Sequence, residues 1–438
     1  MAAASVGAAL VTQSSVKREG KLLVAMVGIP ARGKTFLAKA IARHLDWIGL
    51  RCKYFNVGEY RRSHVAVFRP HSFFDSGEGE AVREQVAAAV LGEALESLKK
   101  DVDIAIFDAS NVTKDRRASL ADEVFSSGVH AQVVFIESLC DDPAIVRSNI
   151  VETKLTSPEY RDMEEEEAVR DFTERIRHYE KRYEPMEANE GFQFIKLING
   201  GRQVMTNMIS GYIPGRITLL CMNLQITPRP IWMSRHGESE FNMQGKIGGD
   251  SPLTDAGKLY ARKLAEFMRE RYPEGSELVV WTSTMLRTGQ TVAGMTRYWD
   301  VVKWSSLSEI RAGMMDSLTY EYVAREMPEE YKARTKDKLR YRYPSGESYE
   351  DVFQRLEPVL FEMLRQRTPL LIVGHQAILR VLYGYLTRKK PSECPSLHMP
   401  LHTAIRLTPR AYRCEEEWHL PLEECPEPVP DAKAPSSY

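Results

Sequence analysis

Leu22-Leu23-Val24-Ala25-Met26-Val27-Gly28-Ile29-Pro30-Ala31-Arg32-Gly33-Lys34-Thr35 decides the fold of the first half of this chain. Residues 22–27 form a nearly continuous apolar run, which predicts a strand buried on both faces of a parallel sheet. A glycine-rich turn follows, and residues 35–47 place apolar side chains at helical spacing. Strand, turn and helix are the context in which GxxxxGK[ST] cradles a polyphosphate with backbone N–H groups. Lys34 then reaches the β- and γ-phosphates, and the Thr35 hydroxyl helps hold Mg²⁺.

Outward from that turn, strands are expected over 52–57, 104–107, 132–136 and 194–198, with helices over 80–99 and 165–182. The alternation predicts a doubly wound α/β domain over residues 21–225. Asp108 ends the apolar strand 104–107, where a carboxylate can orient Mg²⁺ or accept a proton from an attacking hydroxyl. Its bland alternative is an N-cap. Arg61, Arg62, Arg83, Arg116, Arg117 and Arg175 are the cations available for a phosphorylated substrate, and composition does not choose among them.

Ile226-Thr227-Pro228-Arg229-Pro230 reads as an extended connector. A second α/β series follows over 226–422: strands at 231–233, 278–281 and 370–373, helices at 254–271 and 349–366. Arg235-His236-Gly237 follows the first of these strands, Arg287 the second and His375 the third. Strand-end placement predicts one shared rim. A histidine that attacks phosphorus must be neutral at the attacking nitrogen and flanked by cations for the phosphoryl oxygens. A departing alkoxide also needs a proton donor; Glu309 is one of many candidate glutamates. His398 and His402 are separated by Pro400, which argues for a loop role over a helical metal pair.

The 438 residues suit two or three domains. Net charge of −1 argues against general attraction to nucleic acid or membrane. The six cysteines include no CxxC pair, which fits free thiols and a cytoplasmic enzyme. Residues 1–20 and 423–438 read as mobile tails, and no apolar run is long enough to span a bilayer.

Phe55-Asn56-Val57-Gly58-Glu59-Tyr60-Arg61-Arg62, Phe107-Asp108-Ala109-Ser110-Asn111-Val112-Thr113-Lys114-Asp115-Arg116-Arg117 and Glu137-Ser138-Leu139-Cys140 resemble the kinase half of the 6-phosphofructo-2-kinase/fructose-2,6-bisphosphatase family. So does Asn149-Ile150-Val151-Glu152-Thr153-Lys154. Arg235 to Asn242, Gly245 to Asp250, Tyr341 to Asp351 and Pro400 to Thr403 resemble its bisphosphatase half, within the histidine phosphatase superfamily. The resemblance implies ATP-dependent phosphorylation of the fructose 6-phosphate 2-hydroxyl and hydrolysis of that phosphate through phosphohistidine, a control of glycolysis and gluconeogenesis. It also implies a homodimer.

By the same resemblance, Gly28, Arg32, Gly33, Lys34, Thr35, Asn149 and Lys154 meet ATP, and Thr35 and Asp108 meet Mg²⁺. Arg61, Arg83, Ser110, Arg116, Arg175 and Tyr179 meet the sugar phosphate. His236 is the implied nucleophile, Glu309 the acid, and His375, Arg235 and Arg287 the phosphoryl partners. Asn242, Gly248, Tyr320, Arg334, Lys338, Tyr349, Gln376 and Arg380 surround fructose 2,6-bisphosphate. The chain departs from the family at Ser110 (usually Thr), Leu286 (usually basic), Gly374 (usually Cys) and Arg311 (usually acidic). A cation at 311 close to Glu309 would favour the ionised acid and slow the phosphatase. Rival expectations are a one-sided kinase, a regulator that binds without turnover, and a nucleotide kinase fused to a mutase.

Overall fold

The computed structural model describes residues 20–64, 77–153, 160, 163–224, 228–410 and 413–420. The chain divides into two compact units between Leu224 and Gln225.

The first unit is built on a six-stranded sheet in the order β2-β3-β1-β4-β5-β6. Its strands are β1 (Lys21–Val27), β2 (Cys52–Asn56), β3 (Ile104–Asp108), β4 (Ala131–Leu139), β5 (Gln193–Ile198) and β6 (Gln203–Asn207). All pairings are parallel except β5 with β6. Every residue of β1 beyond Lys21 is buried, as the apolar run predicts. Helix Gly77–Lys100 closes one face: Val90, Leu91, Ala94 and Leu98 pack with Leu23, Ala105 and Phe107. β1 and β3 are neighbours, yet the chain leaves β1 toward β2 and leaves β3 toward β4. That reversal opens a crevice at their carboxyl ends.

The second unit repeats the principle in the order β12-β11-β7-β10-β8-β9. Its strands are β7 (Ile231–Arg235), β8 (Val279–Ser283), β9 (Asp300–Trp304), β10 (Leu370–Gly374), β11 (Ala404–Pro409) and β12 (Cys414–His419). β7, β10, β8 and β9 are parallel, whereas β11 and β12 are antiparallel. Helix Asp255–Arg271 lays Tyr260, Leu264 and Met268 on Trp232, Val280 and Leu371. β7 and β10 are the adjacent pair whose connections diverge, so Arg235-His236 and His375 leave the sheet side by side.

β6, β9, β11 and β12 were not expected from the sequence. β6, β9 and β12 are edge segments with no long apolar run, and Arg406 interrupts the apolar residues of β11. Helix Glu165–Glu180 ends before the expected residue 182. No helix among the described residues is long and apolar enough to cross a membrane.

Candidate active sites

In the first unit, Gly28 has φ 134° and a Cβ there would lie 2.7 Å from the Ser138 carbonyl oxygen. Only glycine lets the turn pass this close to β4. Gly33, at φ 83°, directs the chain into helix Lys34–Trp47. Gly28 N–H donates to the Ser110 carbonyl at 2.9 Å, which ties the loop to the end of β3. Ser138 Oγ donates to the Arg32 carbonyl at 2.5 Å and Asn149 Nδ2 to the Ala31 carbonyl at 3.1 Å. Lys34 is buried, with Nζ donating to the Ile29 carbonyl at 2.8 Å.

Asp108 faces this loop. Its Oδ2 accepts from Thr35 Oγ1 at 2.8 Å, Tyr54 OH at 2.8 Å and Asn56 Nδ2 at 2.6 Å. Burial, reinforced by the Asp108 charge, raises the Tyr54 phenol pKa, so Tyr54 stays a donor. Oδ1 has no hydrogen-bond partner among the described residues. A hydroxyl and a carboxylate within hydrogen-bond distance are the hard oxygen donors that Mg²⁺ takes, so Thr35 and Asp108 fit the metal.

Asp108 is no N-cap. Thr113 caps the next helix, Lys114–Ser126, accepting from Arg116 N–H at 3.3 Å. Arg61, Arg83 and Arg116 come from three helices, and Arg175 and Tyr179 share a fourth. Arg117 leaves the list of substrate cations. It is fully buried and paired in two-pronged fashion with Glu190 at 2.7 and 2.8 Å. Lys154 lies outside the described residues. The Cys140 thiol pKa is raised by burial, which keeps it protonated and fits a packing role.

In the second unit, His236 is 3% exposed. Its Nδ1 lies 2.7 Å from the Gly237 carbonyl, and Arg287 Nε–H donates to Nε2 at 3.1 Å. Both contacts demand the same tautomer: hydrogen on Nδ1, lone pair on Nε2. Burial, then the charges of Arg287 and Arg235, hold its pKa well below the ordinary 6.5. The loop is fixed through Gly237 N–H to Thr291 Oγ1 at 3.0 Å and Glu238 N–H to His402 Nε2 at 3.1 Å. His402 thus anchors the loop, and its ring stacks on Tyr260 with centroids 4.7 Å apart. His398 is exposed. No cluster of three or more metal-ligating side chains occurs among the described residues.

The His375 ring centroid lies 5.2 Å from that of His236. Its Nε2 is 2.7 Å from Ser283 Oγ, while Nδ1 is buried without a partner among the described residues. Burial, with Arg287 next, depresses the His375 pKa too. Glu309 Oε1 accepts from Ile310 N–H at 2.9 Å and from Ala377 N–H, two residues past His375, at 3.3 Å. Arg235 Nη1 donates to the Met399 carbonyl at 2.9 Å, and Arg287 Nη1 to the Gly249 carbonyl at 2.7 Å. His236, Arg287, His375 and Glu309 therefore converge at one rim.

A second cationic cluster carries other residues expected to meet the bisphosphate. Arg334 Nε donates to Tyr343 OH at 2.8 Å and Nη2 to Tyr320 OH at 3.3 Å. Arg380 binds the Leu397 carbonyl at 2.6 Å and Tyr349 OH at 3.4 Å. Lys338 Nζ donates to the Pro395 carbonyl at 2.9 Å. Gln376 opens the helix Gln376–Leu386, directly after His375. Asn242 Oδ1 caps its own helix by accepting from Ser239 N–H at 3.0 Å. Gly248 sits at φ 61°, with no room for a Cβ beside Asp316.

Arg311 turns outward, 76% exposed, with Nη2 3.4 Å from Glu347 Oε1. Solvent screens a charge so placed, and Glu347 partly neutralises it. The slowing effect expected of Arg311 loses its premise.

A phosphate loop with its carboxylate in one unit, and a buried histidine pair with arginine and glutamate in the other, define a P-loop kinase joined to a histidine phosphatase. The 6-phosphofructo-2-kinase family model matches residues 11–228, and the histidine phosphatase superfamily (branch 1) model matches 231–419. The chain is 44% identical over 401 residues to 6-phosphofructo-2-kinase/fructose-2,6-bisphosphatase 3 of Homo sapiens, covering 90% of this chain and 76% of that protein. The Gallus gallus 6-phosphofructo-2-kinase/fructose-2,6-bisphosphatase is 42% identical over 90% of this chain and 84% of its own length. The Arabidopsis thaliana protein of the same name is 44% identical over 93% of this chain; the match spans 55% of that longer relative. The chain belongs to the 6-phosphofructo-2-kinase/fructose-2,6-bisphosphatase family.

Proposed function

We propose that this chain makes and breaks one phosphate ester, that of the fructose 6-phosphate 2-hydroxyl. The observation that carries the reading is the presence, on one chain, of Lys34, Thr35 and Asp108 in one unit and His236, Arg287, His375 and Glu309 in the other.

In the kinase direction, the loop N–H groups and Lys34 hold the ATP phosphates, with Asn149 and Arg32 on the loop's flank and Lys154 as the further cation implied by the family. Thr35 and Asp108 would hold Mg²⁺, which when bound neutralises charge on the β- and γ-phosphates. Three donors fix Asp108 Oδ2, so Oδ1 is the oxygen that faces incoming chemistry. Arg61, Arg83, Ser110, Arg116, Arg175 and Tyr179 orient the sugar phosphate. Positioning and charge stabilisation supply the catalysis.

In the phosphatase direction, His236 Nε2 attacks the 2-phosphate phosphorus as the bond to the sugar O2 breaks. Glu309 gives its proton to that oxygen, releasing fructose 6-phosphate. Arg235, Arg287 and His375 take the phosphoryl oxygens. Water then attacks phosphohistidine, losing a proton to Glu309 and freeing inorganic phosphate and His236. Arg334, Lys338 and Arg380, with Tyr320, Tyr349, Gln376, Asn242 and the turn at Gly248, hold the rest of the bisphosphate. A cytoplasmic homodimer completes the reading; the five described cysteines are all free thiols, as a reducing compartment requires.

The test is trapping by quenching into alkaline detergent after mixing with fructose 2,6-[2-³²P]bisphosphate. Label should appear on the protein in base-stable, acid-labile form and vanish in His236→Ala. Equal labelling of the variant would remove His236 from the reaction.

A further inference from the structure

The residues flanking Glu309 are gripped on both sides by one ion pair. Arg355, on helix Tyr349–Arg365, sends Nη1 to the Ser306 carbonyl at 2.7 Å and the Ser308 carbonyl at 2.9 Å. Its Nε and Nη2 meet the Glu347 carboxylate at 2.9 and 3.0 Å. Glu347, 3% exposed, holds the other flank. Its Oε2 accepts from Arg311 N–H at 3.0 Å, and its own N–H donates to the Arg311 carbonyl at 2.9 Å. Ser306, Ser308 and Arg311 are thereby tied to one rigid helix. Glu309 itself lies in a segment without helix or strand, and among the described residues its carboxylate has only the Ile310 and Ala377 N–H groups as hydrogen-bond partners.

We propose that Arg355, through Glu347, is the positioning residue for the Glu309 proton donor. This rests on the phosphatase reading of Glu309. A donor on an irregular loop keeps its reach only if the backbone on each side is fixed, because small misplacements cost large factors in rate. A guanidinium presents its donors as a fixed planar fork, which lets it serve two carbonyls and a carboxylate at once. The same pair explains why Arg311 is tolerated: the backbone, not the side chain, of residue 311 is what Glu347 needs.

The experiment compares Arg355→Met, the conservative Arg355→Lys and the paired Arg355→Met/Glu347→Leu variant with Glu309→Gln. Each is assayed on fructose 2,6-bisphosphate and on p-nitrophenyl phosphate. Nitrophenolate leaves without protonation and ahead of the water step that uses Glu309, so its pre-steady-state burst reports His236 and the fold but not the acid. Arg355→Met should lose about 10²-fold in kcat on the sugar ester, with little change in KM. It should stay within about threefold of the unaltered protein in the nitrophenolate burst. Lysine should restore part of the sugar-ester rate. The paired variant, which leaves no buried charge, guards against simple unfolding of the single one. Parallel losses on both substrates, or no loss on either, would overturn the proposal. If Glu309→Gln failed to separate the two substrates, the reading of Glu309 itself would fall instead.

Discussion

The nucleophile proposed, His236, is shaped for that role by its neighbours. The Gly237 carbonyl takes the Nδ1 proton, Arg287 aims at Nε2, and burial forbids the imidazolium. The same burial has a stability consequence. His236, His375 and His44 have depressed folded pKa values, that of His44 about 3. In the unfolded chain each titrates near 6.5. Below that value the unfolded state binds more protons, so stability present above it is lost as pH falls. Each histidine costs about 1.4 kcal/mol per pH unit until its folded pKa is reached. The second unit carries two of these residues and also His402, whose pKa burial lowers too; the first carries one. Urea unfolding between pH 7 and pH 5 should therefore weaken the second unit more steeply. An unchanged midpoint for that unit would contradict the neutral histidine pair.

At this scale the sequence was legible where one chemistry needs contiguous residues. The phosphate loop and Arg235-His236-Gly237 read directly. Glu309 did not, because nothing local separates it from other glutamates. Tyr54, inside the expected strand 52–57, and Asn56, inside a quoted motif, fix Asp108 but took no role until β2 and β3 were paired. Arg117 misled in the opposite sense: an arginine beside a substrate motif is spent on Glu190.

The parallel central strands were evident as elements because burial on both faces leaves continuous apolar runs. Of the edge strands β2 was expected, but β6, β9 and β12 were not, since an exposed strand need not be apolar. The acidic β12 is the extreme case. Two glycine contacts link element to function. A Cβ at Gly237 would lie 2.4 Å from the Gly257 carbonyl oxygen in helix Asp255–Arg271. Gly237→Ala should destabilise the second unit by about 1–3 kcal/mol, displace His236 and abolish phosphoenzyme. It should leave ATP-dependent synthesis intact. Gly28→Ala meets the Ser138 carbonyl and should abolish synthesis with the phosphatase retained. Loss of both activities in either variant would contradict the assignment of one reaction to each unit.

The molecule as a whole carries the same solution twice. In each unit, adjacent strands with diverging connections place the chemistry at one carboxyl-end crevice. The two sheets differ in strand order and share no sequence repeat, so the likeness is one of physics. Proposed function then follows from a pair of sites, not from either alone. A kinase without the second unit would only accumulate product; a phosphatase without the first would only consume it. The one-sided kinase reading requires a weak phosphatase site, and the binding-only reading requires both sites to be inert. Both sites have their reacting groups in hydrogen-bonded order.

The most direct measurement follows acid-labile fructose 2,6-bisphosphate over time after purified protein is mixed with ATP, Mg²⁺ and fructose 6-phosphate. The account predicts a rise to a steady level with the unaltered chain, a higher and continuing rise with His236→Ala, and none with Lys34→Met. An identical time course for the unaltered chain and His236→Ala, or product formation by Lys34→Met, would contradict it.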